Sequence, residues 1–244
     1  MKIKKTAQTK GKAKISFWTK LKSFIYKAVL WFLGISIFLV VLYKFVPVPF
    51  TPLMIVRSIE QKLAGKEMTC SHDWVSIDEM SKNFPKAVMA SEDGNFLKHS
   101  GFDFKAMKKA YKNNNRGRKL KGGSTISQQT AKNVFLWQGR SYVRKGFEAY
   151  FTFLIELIWG KKRIMEVYLN SIEMGDGVYG VQAASKHWYG KNAVDVSQIQ
   201  AAGIAAILPN PRKYKASNSS SYINLRKSKI VRVMRKVGKI VYEK

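Results

Sequence analysis

Glu92 and Asp93 stand side by side in ASEDGNFLKHSGFD, residues 90–103, with His99 and Asp103 close behind them. Acids are scarce in this chain, 15 against 44 Lys and Arg, so a group of them beside Gly94 and Gly101 invites a chemical reading. A carboxylate that follows the apolar run AVMAS directly can be half-buried and take a proton from a substrate hydroxyl as a general base. Taken alone, the Glu-Asp pair reads more often as a solvated turn after a helix, and His99 as a hydrogen-bonded structural histidine.

A second stretch, KGGSTISQQTAKNVFLW at 121–137, has the composition of a phosphate-facing helix start. Gly122 and Gly123 let a backbone approach a ligand, and Ser124 or Thr125 can cap a helix whose first amides carry partial positive charge. Gln128 and Gln129 lie four and three residues before Lys132, so amides and an ammonium share one face. An ordinary capped helix has the same pattern. The third stretch, GRSYVRKGFEAYF at 139–151, spaces Arg140, Arg144 and Glu148 by four, with Lys145 three before Glu148. A surface ladder of ion pairs would look similar and contribute little. Yet a second carboxylate held among cations differs from Glu92, and two carboxylates with a diphosphate-sized group of Lys and Arg suit glycosyl transfer from a diphosphate donor.

These residues need a scaffold, and its expected class is mainly α. Helical spacing predicts helices over 75–89, with Pro85 in a first turn, and over 104–112, 127–137, 142–159, 161–169, 181–188 and 196–207, the last stopped by LPNP. Residues 112–123 read as a polar loop, and Gly175, Gly177 and Gly180 as a broken loop. From 222 the tail sets Ile230, Val233, Met234, Val237, Ile240 and Val241 on one face, either packed on the domain or lying on a membrane surface.

The chain has 244 residues, enough for one domain plus an anchor, and a formal net charge of +29 that calls for an anionic partner. Cys70 is the single cysteine, which excludes an intramolecular disulfide. Residues 28–43, AVLWFLGISIFLVVLY, carry no charge, and Lys27 and Lys44 can snorkel at either end. Nine lysines precede this run and the first acid is Glu60, which places the N-terminus in the cytoplasm and the rest outside. VPVPF follows instead of a small-residue cleavage site, so the run reads as an uncleaved anchor, not a signal peptide. The expected parts are a basic cytoplasmic tail over 1–27, a transmembrane anchor over 28–46, a linker over 47–69, the catalytic domain over 70–215 and a basic amphipathic tail over 216–244. Outside the cytoplasm, anionic lipid is a far more frequent partner than nucleic acid, and none of the latter is expected.

In order, EDGNFLKHSGFD from Glu92, GGSTISQQTAKN from Gly122, RSYVRKGFE from Arg140, RIMEVYLN from Arg163 and GVYGVQAASKHWYGK from Gly177 closely resemble the motifs of the peptidoglycan glycosyltransferases of glycosyltransferase family 51, in particular the monofunctional biosynthetic transglycosylases. The resemblance covers roughly residues 70–215. It implies a lysozyme-like α-helical fold and lipid II as substrate, polymerised into β-1,4-linked glycan with release of undecaprenyl diphosphate. Glu92 would be the general base. Lys132, Arg140, Arg144 and Lys145 would hold the diphosphate, while Glu148 would organise those cations or a divalent ion, Mg or Mn, on the diphosphate. No organic cofactor is implied. Ser124, Thr125, Gln128, Gln129 and Asn133 would contact sugar or phosphate. Asp93, Phe96, His99 and Gly123 would support the site, and Glu166 and Asn170 would bond to the catalytic loop. Partners would be lipid II, the growing glycan strand and membrane lipid, with cell-wall synthesis and division proteins as further candidates. Trp188 and Thr130 depart from the family's usual Tyr or Phe and aliphatic residue, away from the acid, amide and basic positions. No Ser-x-x-Lys occurs, so transpeptidase activity is not expected. The competing readings are a lysozyme-like glycan-cleaving enzyme, which needs no diphosphate-binding cations, and a silent membrane-tethered scaffold.

Overall fold

The computed structural model describes residues 17–114, 123–139 and 141–242, without the side chains of 109 and 111–114. The chain divides into two units, 1–39 and 40–244. In the first lies most of α1 (Phe17–Phe45), which is long and apolar enough to cross a membrane, with a mean hydropathy of 2.3 over its best window. The last turns of α1 belong to the second unit. There Val40 is fully buried, the Trp159 indole donates to its carbonyl at 2.6 Å, and the Arg163 guanidinium donates to the Tyr43 carbonyl at 3.0 and 2.8 Å. Residues 40–45, counted with the anchor by apolarity alone, are therefore also part of the domain's packing.

After the prolines, α2 (Pro52–Leu63) opens on a Thr51 cap with Pro52 in its first turn, where the missing N–H costs no helical bond. The second unit is then a helical body: α3 (Asn83–Glu92), α4 (Phe104–Asn114), α5 (Ile126–Phe135), α6 (Tyr142–Ile158), α7 (Gly160–Ser171), α8 (Gly180–Tyr189), α9 (Gln198–Ile207) and α10 (Ser221–Met234). Two centres organise it. One is α9, whose residues Ala201–Ile207 are all buried, as expected of a helix apolar all round. It packs against α3 and α10. The other is α5, which packs against α6 and α7. Between them, α7 buries Ile164, Met165, Val167, Tyr168 and Leu169 in the common core.

Three differences from the periodicity have clear causes. Residues 75–82 are not helical, because Asn170 and Glu166 of α7 take their backbone amides: Val75 N–H donates to Asn170 Oδ1 and Ile77 N–H to Glu166 Oε2, both at 3.0 Å. Helix α3 thus starts at Asn83, with Pro85 in its first turn. The glycine-broken segment is a hairpin, β2 (Glu173–Gly175) and β3 (Val178–Tyr179), and β3 also pairs in parallel with β1 (Ser71–His72), giving the order β1-β3-β2. Gly177 turns this hairpin at φ +71, where an added Cβ would come within 2.2 Å of the Thr69 carbonyl oxygen. Trp188 supports the hairpin by donating to the Met174 carbonyl at 2.7 Å. At the tail, α10 buries Ile223, Ile230 and Met234, whereas Val233 and Val241 are exposed and the helix stops before Val237. The continuous 230–241 apolar face is therefore corrected to one helix packed on the domain and a short non-helical segment.

Candidate active site

Glu92 is the last residue of α3 and half-buried, as its position after an apolar run suggests. The Ser91 hydroxyl donates to Oε1 at 2.8 Å, and the Gln129 amide donates to Oε2 at 3.4 Å. Behind Gln129 stands Tyr168, fully buried in α7, with its hydroxyl at 3.4 Å from Gln129 Oε1. Burial first, then the nearby Glu92 and Asp93, hold the Tyr168 phenol well above its usual range, so it stays a neutral donor.

Asp93 does a different task from its neighbour. Its carboxylate is buried, accepts from the Ile126 amide at the start of α5 at 3.0 Å, and meets His99 Nε2 at 3.0 and 3.1 Å. An acid on the first amide of a helix is a stabilising cap. It also fixes α5 against the end of α3, and so Gln129 against Glu92. Phe96 is fully buried under this loop, edge-on to His99, with the Lys161 ammonium 4.6 Å from its ring centre. Asp103 caps α4 through the Ala106 amide at 2.8 Å and receives Asn95 Nδ2 at 2.8 Å, contacts that hold its carboxyl below the usual range.

Thr125 and Gln128 form a reciprocal capping box at the start of α5, and the Thr125 hydroxyl donates to the Gly101 carbonyl at 2.6 Å. Gly101 has φ +86, and a Cβ there would lie 2.8 Å from Thr152 Cγ2. Only glycine lets the loop carrying the acids lie this close to α6. Ser127 bonds to Glu156 of α6, which also pairs with Lys161 at 2.7 Å. Along α5 the residues Ile126, Ser127, Gln128, Thr130, Ala131, Asn133 and Val134 are buried, so Gln129 and Lys132 share its partly open face. Gln128, Thr125 and Asn133 are enclosed in the fold in this state, with the first two spent on the cap. Ser124 is half-buried.

One turn along from Gln129, Lys132 enters the cationic group. Glu148 of α6 is buried and pairs with Arg144 Nη1 at 2.7 Å and with the Lys145 ammonium. Arg144 also donates to the Gly139 carbonyl at 2.9 Å. Lys132 is held below the usual lysine range, by burial first; Glu148 opposes that shift and Arg144 and Lys145 add to it. Both Glu148 oxygens are engaged by cations, and among the described residues no three His, Cys, Asp or Glu side chains come together to hold a metal ion.

Several expected residues have other placements. Arg140 lies outside the described residues, as does most of the 112–123 loop, whose first residues extend α4. A Cβ on Gly123 would make ordinary contacts at 3.5 Å with Met107 and Ala110, so no steric need for glycine exists at that position. Glu166 and Asn170 bond to the 75–77 segment, not to the loop bearing Glu92, because the i, i+4 face they share on α7 looks onto the approach to α3. Sequence reasoning passed over Ser91, Ser127, Tyr168 and Glu156. Tyr168 stands among the apolar, buried positions of α7, and only its placement behind Gln129 reveals the polar contact.

A mainly helical body in which a half-buried carboxylate meets an amide, with a group of cations further along the same helix, suits a glycosyl-transfer enzyme. Residues 60–235 match the family described as Transglycosylase, and the chain belongs to that family. Its domain is lysozyme-like and mainly helical, and the match runs from within α2 to the end of α10. Among similar proteins are biosynthetic peptidoglycan transglycosylases of Caulobacter vibrioides, 54% identical over 78% of this chain and 81% of the relative, and of Bacteroides thetaiotaomicron, 52% identical over 86% and 85%. A third, from Pseudomonas syringae pv. syringae, is 48% identical over 88% of this chain and 91% of the relative.

Proposed function

We propose that the protein is a peptidoglycan transglycosylase of cell-wall biosynthesis that polymerises lipid II into β-1,4-linked glycan strands and releases undecaprenyl diphosphate. The arrangement along α5 carries this reading: Gln129 meets Glu92, and Lys132, three residues on, lies in the field of Glu148, Arg144 and Lys145. At ~1.5 Å rise per residue, one helix face spans the distance between a proton acceptor and a group of cations.

In this mechanism Glu92 takes the proton of the acceptor's GlcNAc 4-hydroxyl as that oxygen attacks C1 of the donor's MurNAc. The bond from C1 to the diphosphate oxygen breaks, its electron pair leaves with the diphosphate, and the α-linkage inverts to β. Lys132, Arg144 and Lys145, with Arg140 assigned to the same group by resemblance, stabilise the charge that develops on the leaving group. Lys132 is suited to this because a poorly solvated ammonium gains most from an incoming anion. Glu148 aligns Arg144 and Lys145. No step is assigned to Mg or Mn.

The lysine-rich N-terminus and the apolar α1 support an address in the cytoplasmic membrane, with the N-terminus inside and the catalytic domain on the outer face. Lipid II, the growing strand and membrane lipid are then its immediate partners. Glycan cleavage accounts for Glu92 but leaves the cations around Lys132 without a task.

The test is incubation of the detergent-solubilised full chain with labelled lipid II, products being resolved by size. A lysozyme-sensitive ladder from the wild type, absent with Glu92→Gln, is the expected result. Shortening of preformed strands without polymer would overturn it in favour of cleavage, and neither activity would favour a scaffold.

A further inference from the structure

The first turn of α3, the Ile77–Asp78 segment, Lys162 of α7 and residues 239–242 enclose a cavity of about 630 Å³. That is the size of a ligand site and far more than one small anion fills. Four lysines line it, Lys82, Lys86, Lys162 and Lys239, against one acid, Asp78. Asp78 is already engaged, since Lys162 donates to it at 2.7 Å. Lys82, Lys86 and Lys239 line the space and form no ion pair among the described residues.

The rest of the lining is not phosphate-like. Ile77 and Pro85 are buried, Ile240 and Val241 add apolar surface, and the Tyr242 hydroxyl is buried with no hydrogen-bond partner among the described residues. Residues 238–242 form neither helix nor strand, and among the described residues they make no backbone hydrogen bond. Backbone N–H and C=O groups that are not paired within the fold can bond to those of another chain.

We propose that this cavity is a docking site for an extended acidic peptide segment of a partner protein. Carboxylates on the segment meet Lys82, Lys86 and Lys239, its backbone pairs with residues 238–242, and an apolar side chain lies against Pro85 and Ile240. Lys82 and Lys86 flank the start of α3 and Glu92 ends it, so the segment grips the helix that carries the acid.

The experiment uses the detergent-solubilised full chain and a fluorescein-labelled octapeptide of alternating Glu and Val, read by anisotropy at ~0.15 M salt to screen bulk attraction. The same peptide with Gln for Glu is the uncharged control. Saturable binding of the acidic peptide is expected, weakened at least about tenfold by Lys82→Glu, Lys86→Glu and Lys239→Glu together. Reversal of three exposed lysines elsewhere, Lys213, Lys215 and Lys229, should change it by less than about threefold, and both variants should still polymerise lipid II. If the first variant fails to fold, Lys→Gln changes at the same three positions give the same comparison. Equal weakening by both triple reversals would reduce the effect to net charge and overturn the proposal, as would equal binding of the Gln peptide. Competition by phosphatidylglycerol vesicles that depends on Lys82, Lys86 and Lys239 would overturn it in favour of a lipid occupant.

Discussion

At the scale of single residues, the proposed mechanism separates a proton acceptor, Glu92, from a charge organiser, Glu148. Glu92 faces neutral donors, whereas both oxygens of Glu148 are engaged by cations. Glu92→Gln should therefore lower polymerisation by ~10²–10⁴ while lipid II binding stays close to wild type, as turnover beside a direct binding assay will check. Arg144→Ala removes one partner of a buried carboxylate. It should raise the apparent KM for lipid II roughly tenfold and also lower the melting temperature, since Glu148 keeps only Lys145. Lys132 makes the opposite prediction for stability. Its ammonium is held below the usual lysine range, so it costs stability at neutral pH, and that cost is relieved only as pH rises through its folded value toward ordinary lysine values. Lys132→Met should lose polymerisation and yet melt no lower than wild type at pH 7; a clear drop in melting temperature would contradict the burial argument.

Elements then decide whether these residues meet. The end of α3, the start of α4 and the start of α5 are tied by Asp93, Asp103 and Thr125, three short polar side chains that each bond at or beside a helix start. Gly101 lets that knot lie against α6. A Gly101→Ala change forces a Cβ toward Thr152 at a positive φ and should cost about 2 kcal/mol of stability, with polymerisation falling because Glu92 and Gln129 no longer share a frame; urea denaturation and turnover test both. Asp103 adds a pH signature. Its carboxyl is held low by the Ala106 amide first and the Asn95 amide second, so its stabilisation is present above the ordinary carboxylate range and is lost as pH falls through the lowered value. Asp103→Asn should match wild type near neutrality, since Asn caps about as well, and should show a flatter loss of melting temperature below about pH 4.

For the whole molecule, the anchor and the domain overlap in α1. A chain lacking residues 1–39 should melt as the full chain does. Removing 1–46 takes away the buried Val40 and the acceptors of Trp159 and Arg163, which should cost ~3 kcal/mol, about 6–12 °C for a domain of this size. Both truncations should polymerise poorly on bilayer-embedded substrate, and undiminished activity there would limit α1 to an address. The same helix marks the boundary of sequence reasoning. The apolar run of 28–43 identifies a span because a hydrocarbon layer demands composition alone, but apolarity does not distinguish lipid contact from burial against protein at residues 40–45.

Local chemistry settled what could be read from the chain itself: the helical class, a helix cap at Ser124 or Thr125, the separation of the Glu92 stretch from the Glu148 stretch, and the family. Each of these depends on neighbours within a few residues, on periodicity, or on motifs in order. Tertiary structure decided the contacts that join distant residues. It placed Tyr168 behind Gln129, 39 residues apart, set Asp93 on the first amide of α5, and turned Glu166 and Asn170 toward residues 75–77. It also made a hairpin of the glycine-rich segment, because Gly177 must pass beside Thr69, and ended the tail's apolar face at Met234. Sequence spacing gives the face on which a side chain stands; only packing determines what stands opposite it.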